Sequence, residues 1–192
     1  MTVKEFKFQY ALGTLSVRDL IDIAKKATSR DILTTLSNDI DWRVRLFVGG
    51  NKNTSKKVLT KLSKDKNWNV RTNVAKNKNT PVSLLIKLSK DIDWPVRTGV
   101  AGNKNTPVYI LIKLSRDEHW DIRKRIIKNT NTPKEVLTKL YEDKDWHVKK
   151  YIAKNKNIPI SLLIKLSNDK DWQVRTGAAK NPNTPNILLT KL

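Results

Sequence analysis

The chain has no cysteine among its 192 residues. That excludes a disulfide scaffold, a thiolate nucleophile and any zinc or iron–sulfur site held by cysteine. Glutamate is scarce, with Glu5, Glu118, Glu135 and Glu142 the only four. No apolar run approaches the ~18 residues that a bilayer-spanning helix needs. The opening stretch MTVKEFKFQY lacks the apolar segment of a secretory signal. A cytoplasmic location is therefore the simplest expectation. No Gly-rich phosphate loop, nucleophile–base pairing or cofactor motif is present, so neither catalysis nor a cofactor is expected. Histidine occurs twice: His119 precedes a tryptophan and His147 follows one. Two histidines without cysteine make a poor metal site, and no metal is expected.

What the chain does have is positive charge. Lys and Arg number 39 against 18 Asp and Glu, a formal +21. Such a field attracts polyanions and speeds encounter with them, but it says nothing about fold. A merely Lys-rich composition would bring Glu with it, and four Glu argue against that reading.

The fold is announced by tryptophan. Trp42, Trp68, Trp94, Trp120, Trp146 and Trp172 are all six, each 26 residues from the next. A fixed period of this size reads as a solenoid of stacked two-helix units. Other slots keep the same step. Asp39, Asp65, Asp91, Asp117, Asp143 and Asp169 stand three before each Trp. Val44, Val70, Val96, Ile122, Val148 and Val174 stand two after. Arg45, Arg71, Arg97, Arg123, Lys149 and Arg175 stand three after. Asn fills the slots nine and eleven after, and Leu fills two slots up to Leu189 and Leu192. In each repeat, helix A starts near the Trp behind a polar cap such as Asp93. It ends near an Asn such as Asn103, a residue that tolerates left-handed backbone. Helix B opens at Thr-Pro, with Thr80 as N-cap and Pro81 as its first residue. Leu84, Leu85 and Leu88 form its apolar stripe. Trp, two residues from a core Val, is read as a buried ladder of indoles packed between repeats. The other reading is a row on which bases stack.

These features predict an all-α solenoid of six 26-residue repeats at 39–64, 65–90, 91–116, 117–142, 143–168 and 169–192, the last partial, in one continuous domain. Residues 1–38 form an atypical cap. There Ser16 is placed to start a helix running to about Lys26, and 28–36 match helix B. The sequence stops at Leu192 inside a helix B, which leaves that end to be covered by further chain or by another molecule.

The unit D-x-D-W-x-V-R-x-x-V-A-x-N-x-N-T-P-x-x-L-L-x-K-L-S, clearest at 70–88, 96–114 and 174–192, resembles the variant leucine-rich repeat. Its D…V-R element is also similar to HEAT repeats. The resemblance covers roughly residues 28–192. It implies a right-handed superhelix of paired short helices, with 3₁₀ geometry open for one of each pair, and it implies no single activity. The chain departs from the family in its recurring Trp and in Lys where the family often has Pro, which only Pro182 keeps.

Ten of the eighteen acids occupy the two Asp slots before each Trp. Set against the Arg slot, they are expected to form ion pairs along the stack. The lysines are left over. They recur at Lys52, Lys78, Lys104 and Lys156, at Lys76, Lys128, Lys154 and Lys180, and at Lys61, Lys87, Lys113, Lys139, Lys165 and Lys191. Four and five residues after Trp, Thr72-Asn73, Thr98-Gly99 and Thr176-Gly177 give way to Lys124-Arg125 and Lys150-Tyr151. Scaffold slots stay fixed in repeat proteins while contact slots change. Lys124, Arg125, Lys128, Lys150, Tyr151 and Lys154, with Lys76 and Lys180, are therefore the candidate contacts. The leading expectation is a non-catalytic basic scaffold that binds DNA or RNA through phosphates. The alternatives are a scaffold for acidic proteins and, more distantly, a HEAT-like DNA glycosylase with Asp121 as its carboxylate.

Overall fold

The computed structural model describes residues 1–186. All described secondary structure is α-helical. The cap holds α1 (Val3–Ala11), α2 (Val17–Lys26) and α3 (Arg30–Leu36). The repeats follow as α4 (Trp42–Gly50) and α5 (Lys56–Leu62), α6 (Trp68–Lys76) and α7 (Val82–Leu88), α8 (Trp94–Gly102) and α9 (Val108–Leu114), α10 (Trp120–Ile127) and α11 (Lys134–Leu140), α12 (Trp146–Ala153) and α13 (Ile160–Ser167), and α14 (Trp172–Ala179). Every described helix is α, so the 3₁₀ alternative is not taken up among them. Leu189, Lys191 and Leu192, placed by the sequence in the last helix B, lie outside the described residues. The chain forms two compact units, Met1–Asn105 and Thr106–Leu192.

Helices of seven to nine residues are marginal alone, so packing must hold them. In helix A the slots two and six after Trp supply the core. Val44 and Val48, Val70 and Val74, Ile122 and Ile126, and Val148 and Ile152 are fully buried. In helix B the expected Leu stripes are buried as well, Leu59 with Leu62 and Leu85 with Leu88. Each such side chain contributes roughly 1.5–3 kcal/mol. Successive helices A pack closely enough to exclude a side chain. A Cβ on Gly99 would lie 2.9 Å from Ala75 Cβ, and one on Gly177 would lie 2.9 Å from the Lys150 carbonyl.

The cap follows the same logic. Ser16 caps α2 in a reciprocal box with Asp19, as the sequence indicates, and α2 packs on α4 as one helix A on the next. Helix α1 was not foreseen. Its signal is Thr2-x-x-Glu5, a capping box, followed by Phe6, which is fully buried. Tyr10 Oη then donates to Asp39 Oδ2 at 2.8 Å, taking the place that Arg fills elsewhere. Burial and the Asp39 carboxylate push this phenol up to about 12. Gly13, at φ 66°, makes the left-handed turn between α1 and α2.

Two capping expectations are corrected. Helix B begins one residue later than predicted, with Pro81 itself as N-cap. The preceding Thr turns back instead. Thr54 Oγ1 donates to the Val48 carbonyl at 2.6 Å and Thr132 Oγ1 to Ile126 at 2.7 Å, which closes the C-terminus of helix A. The Asn that ends helix A is extended rather than left-handed, with Asn103 at φ −78°, ψ 128°. Its value lies in its side chain.

Candidate nucleic-acid interface

The Asp and Arg slots neutralise each other from repeat to repeat. Arg45 grips Asp65 of the next repeat with two hydrogen bonds, Nε–Oδ2 at 2.7 Å and Nη2–Oδ1 at 3.0 Å. Its remaining nitrogen, Nη1, donates to the Asp39 and Ile40 carbonyls at 2.7 and 2.9 Å. Arg71 with Asp91 and Arg123 with Asp143 repeat the fork. Charge-assisted bidentate pairs are strong, and these are largely buried: the Arg123 and Asp143 side chains are 8% and 6% exposed. Burial pushes the Asp65 carboxyl up, but the hydrogen bonds from Arg45 and the Asn67 N–H outweigh it and hold the group below its usual value. Lys149 makes only a single contact, Nζ to Asp169 at 2.9 Å, since an ammonium lacks the fork. Where Pro95 removes the N–H that the cap would bond, the Asp93 carboxylate turns to Arg71 Nη2 at 2.6 Å instead.

The Asn slots are equally committed. Asn77 Nδ2 donates to the Gly49 and Asn51 carbonyls of the preceding repeat at 2.8 and 2.9 Å. Its Oδ1 accepts from the Asn79 N–H at 2.9 Å. Asn103 does the same to Ala75 and Asn77, and Asn181 to Ala153 and Asn155. Asn105 and Asn183 reach back to Lys78 and Lys156. These amides are a ladder that stitches repeats together, so they are not available to read base edges. Lys61 closes the end of α3, donating to the Ser37 carbonyl at 2.8 Å.

The tryptophans correct the sequence reading. Trp42, Trp68 and Trp94 are 38%, 42% and 42% exposed, and Trp172 is 65% exposed. The reason is geometric. Two residues turn a helix by about 200°, so a Val facing the core turns the Trp outward. Trp120 and Trp146 are covered further, by their neighbours in the C-terminal unit. His147 lies between their indoles, with centroids 4.4 Å from Trp120 and 3.6 Å from Trp146. His119 caps α10, accepting the Asp121 N–H.

Three of the candidate contacts, Lys124, Lys128 and Lys150, gather around the rings of Trp120, Trp146 and Tyr151. Lys124 Nζ sits 4.5 Å over Trp120 and 5.4 Å over Tyr151. Lys128 Nζ sits 4.5 Å over Tyr151, and Lys150 Nζ sits 5.5 Å over Trp146. Two of these ammoniums have partners already, Lys124 in an ion pair with Asp121 and Lys150 on Gln173 Oε1 at 2.9 Å. Asp121, the candidate glycosylase carboxylate, is thus held in that pair. Arg125, Lys128, Lys154 and Lys180 are exposed in the C-terminal unit, and Lys76 is exposed in the N-terminal unit. A cavity of about 800 Å³ in the N-terminal unit, lined by Arg30, Lys52, Lys56 and Lys78 with no carboxylate, is not among the sites expected from the sequence. The Lys52 and Lys78 row could have disclosed it. Among the described residues no helix is long and apolar enough to cross a membrane, and no group of three His, Asp or Glu is placed to hold a metal.

No protein-family model matches the chain. No curated protein matches it in sequence either. Its fold does have a counterpart, a solved structure described as a leucine-rich repeat variant with a novel repetitive protein structural motif. That protein is 27% identical over 96% of this chain and 73% of its own, with a TM-score of 0.69. The chain is an all-helical repeat protein that shares the fold of a leucine-rich repeat variant.

Proposed function

We propose that this repeat protein is a non-catalytic scaffold that binds nucleic acid mainly through its phosphates. One observation carries the reading. The acids of the repeat are turned inward against the Arg slot, from Arg45–Asp65 to Arg123–Asp143. The lysine surplus of a chain at +21 is then left without matching surface acid. Exposed ammonium and guanidinium groups displace the counterions condensed on a phosphate backbone, which is the main source of sequence-independent binding. Arg125, Lys128, Lys154 and Lys180 are the contacts assigned in the C-terminal unit, and Lys76 with the Arg30–Lys52–Lys78 cavity in the N-terminal unit.

A salt titration with duplex DNA tests this. With about six phosphate contacts, log K falls against log salt with a slope near −5. Absence of DNA and RNA binding at low salt would sink the proposal.

A second reading, a scaffold for acidic proteins, draws on the same unmatched cations together with exposed apolar residues of helix B in the C-terminal unit. Val108, Tyr109 and Ile112 on α9, and Ile160 and Ile164 on α13, are exposed. A defined partner that stays bound after nuclease treatment would favour it.

A further inference from the structure

We infer that the helix A face of the C-terminal unit is built for single-stranded nucleic acid, with unpaired bases stacking on the rings of Trp120, Trp146 and Tyr151 while the lysines over those rings take the phosphates. The inference rests on the nucleic-acid reading above and adds a substrate class to it. Three observations converge. First, aromatic rings and ammonium groups alternate on one face: Trp120 under Lys124, Trp146 under Lys150, and Tyr151 under Lys124 and Lys128, all within 4.5–5.5 Å of a centroid. Second, the rings already stack. His147 lies between two indoles at interplanar angles of 19° and 25°, a short pile that a base extends. Third, Tyr151 occupies a slot that glycine holds in two other repeats, including the next one along the C-terminal unit. The equivalents Gly99 and Gly177 have no room for a Cβ, and α10 and α12 pack less closely than α12 and α14. A bulky ring here opens the stack rather than filling the core.

The exchange is favourable on magnitude. An exposed cation–π contact is worth about two- to fivefold, whereas a base stacked on an aromatic side chain is worth about fivefold to hundredfold. A base can therefore replace the Lys128 ammonium over Tyr151, whereas Lys124 and Lys150 also exchange Asp121 and Gln173 for phosphate. The released ammonium stays within reach of that nucleotide's phosphate. Duplex bases have their faces covered by their neighbours, so only unpaired bases gain the stacking part.

The test uses the full chain with oligo(dT) and with a DNA duplex of equal length. Oligo(dT) is expected to bind more tightly and to quench the tryptophan emission. Tyr151→Ala is expected to weaken oligo(dT) binding about fivefold or more and to leave duplex binding unchanged, while Tyr151→Phe keeps both. Duplex binding as tight as oligo(dT), with unchanged emission, overturns the inference and leaves the phosphate reading standing. So does equal loss on both probes in Tyr151→Ala. If neither probe binds the wild-type chain at low salt, the phosphate reading itself falls, and this inference with it. The wild-type fluorescence measurement decides the matter even if the Ala variant folds poorly.

Discussion

Three slots of helix A differ between the N-terminal unit and α10 and α12 of the C-terminal unit, while α14 returns to Thr176-Gly177. In the N-terminal unit the slots four, five and eight after Trp are Leu46-Phe47 with Gly50, Thr72-Asn73 with Lys76, and Thr98-Gly99 with Gly102. In the C-terminal unit α10 and α12 place Lys124-Arg125 with Lys128 and Lys150-Tyr151 with Lys154 at the same slots. Beneath both run the same core Val and Ile slots, Asp–Arg forks and Asn ladder, save that Lys149 makes one contact to Asp169 in place of a fork. The contrast separates what the repeat needs to stack from what one region adds to its surface.

The largest expected effect comes from breaking what the two units share. Arg123→Ala leaves Asp143 buried without its cation and two carbonyls without a donor. It should lower stability by about 3 kcal/mol or more, read as a lower urea midpoint. A smaller effect sharpens the contrast. Gly99→Ala pushes a methyl to 2.9 Å from Ala75 Cβ and 3.1 Å from the Thr72 carbonyl and should cost about 1–3 kcal/mol. Arg125→Ala, in the same slot one repeat on, should stay within about 0.5 kcal/mol. The smallest effect is on pH. Burial pushes the Asp169 carboxyl up, but the Asp171 N–H and the Lys149 ammonium outweigh it, and Asp65 is likewise held low by Arg45 and Asn67. Their folded pKa values lie below the ordinary 3.8. The stability they contribute is therefore full above that pH and is lost as pH falls through the folded values. Urea midpoints measured down a pH series should hold steady to about pH 5 and decline below 4, while the surface lysines keep their charge throughout.

The periodic features were legible because periodicity marks scaffold. Repeat length, the core Val and Leu slots, the Asp–Arg pairing and the helix that Ser16 starts can all be read from spacing. The misreadings concern the direction of a side chain within a recognised element. Trp reads as core because Val stands nearby in the sequence, although about 200° of helix separates them. Asn was assigned a backbone role because its side-chain partners lie 26 and 28 residues back in the chain, where local rules do not reach. Helix α1 escaped because it falls outside the repeat. The candidate cluster was found from a broken pattern at Lys124-Arg125 and Lys150-Tyr151. The pairing of Lys124 with Asp121 follows the i, i+3 spacing of one helix, whereas nothing in one sequence tells that Lys150 would reach Gln173.

The central claim is that the recurring residues build the scaffold and the leftover cations of the helix A face bind phosphate. One comparison of salt slopes on the same nucleic acid tests it most directly. Arg125→Gln, Lys128→Gln and Lys154→Gln combined should make the slope of log K against log salt shallower by about 3. Lys87→Gln, Lys113→Gln and Lys139→Gln combined, in the slot where Lys61 closes a helix end, should leave it near the wild-type value. Equal flattening by both sets, or none by the first, would contradict the account.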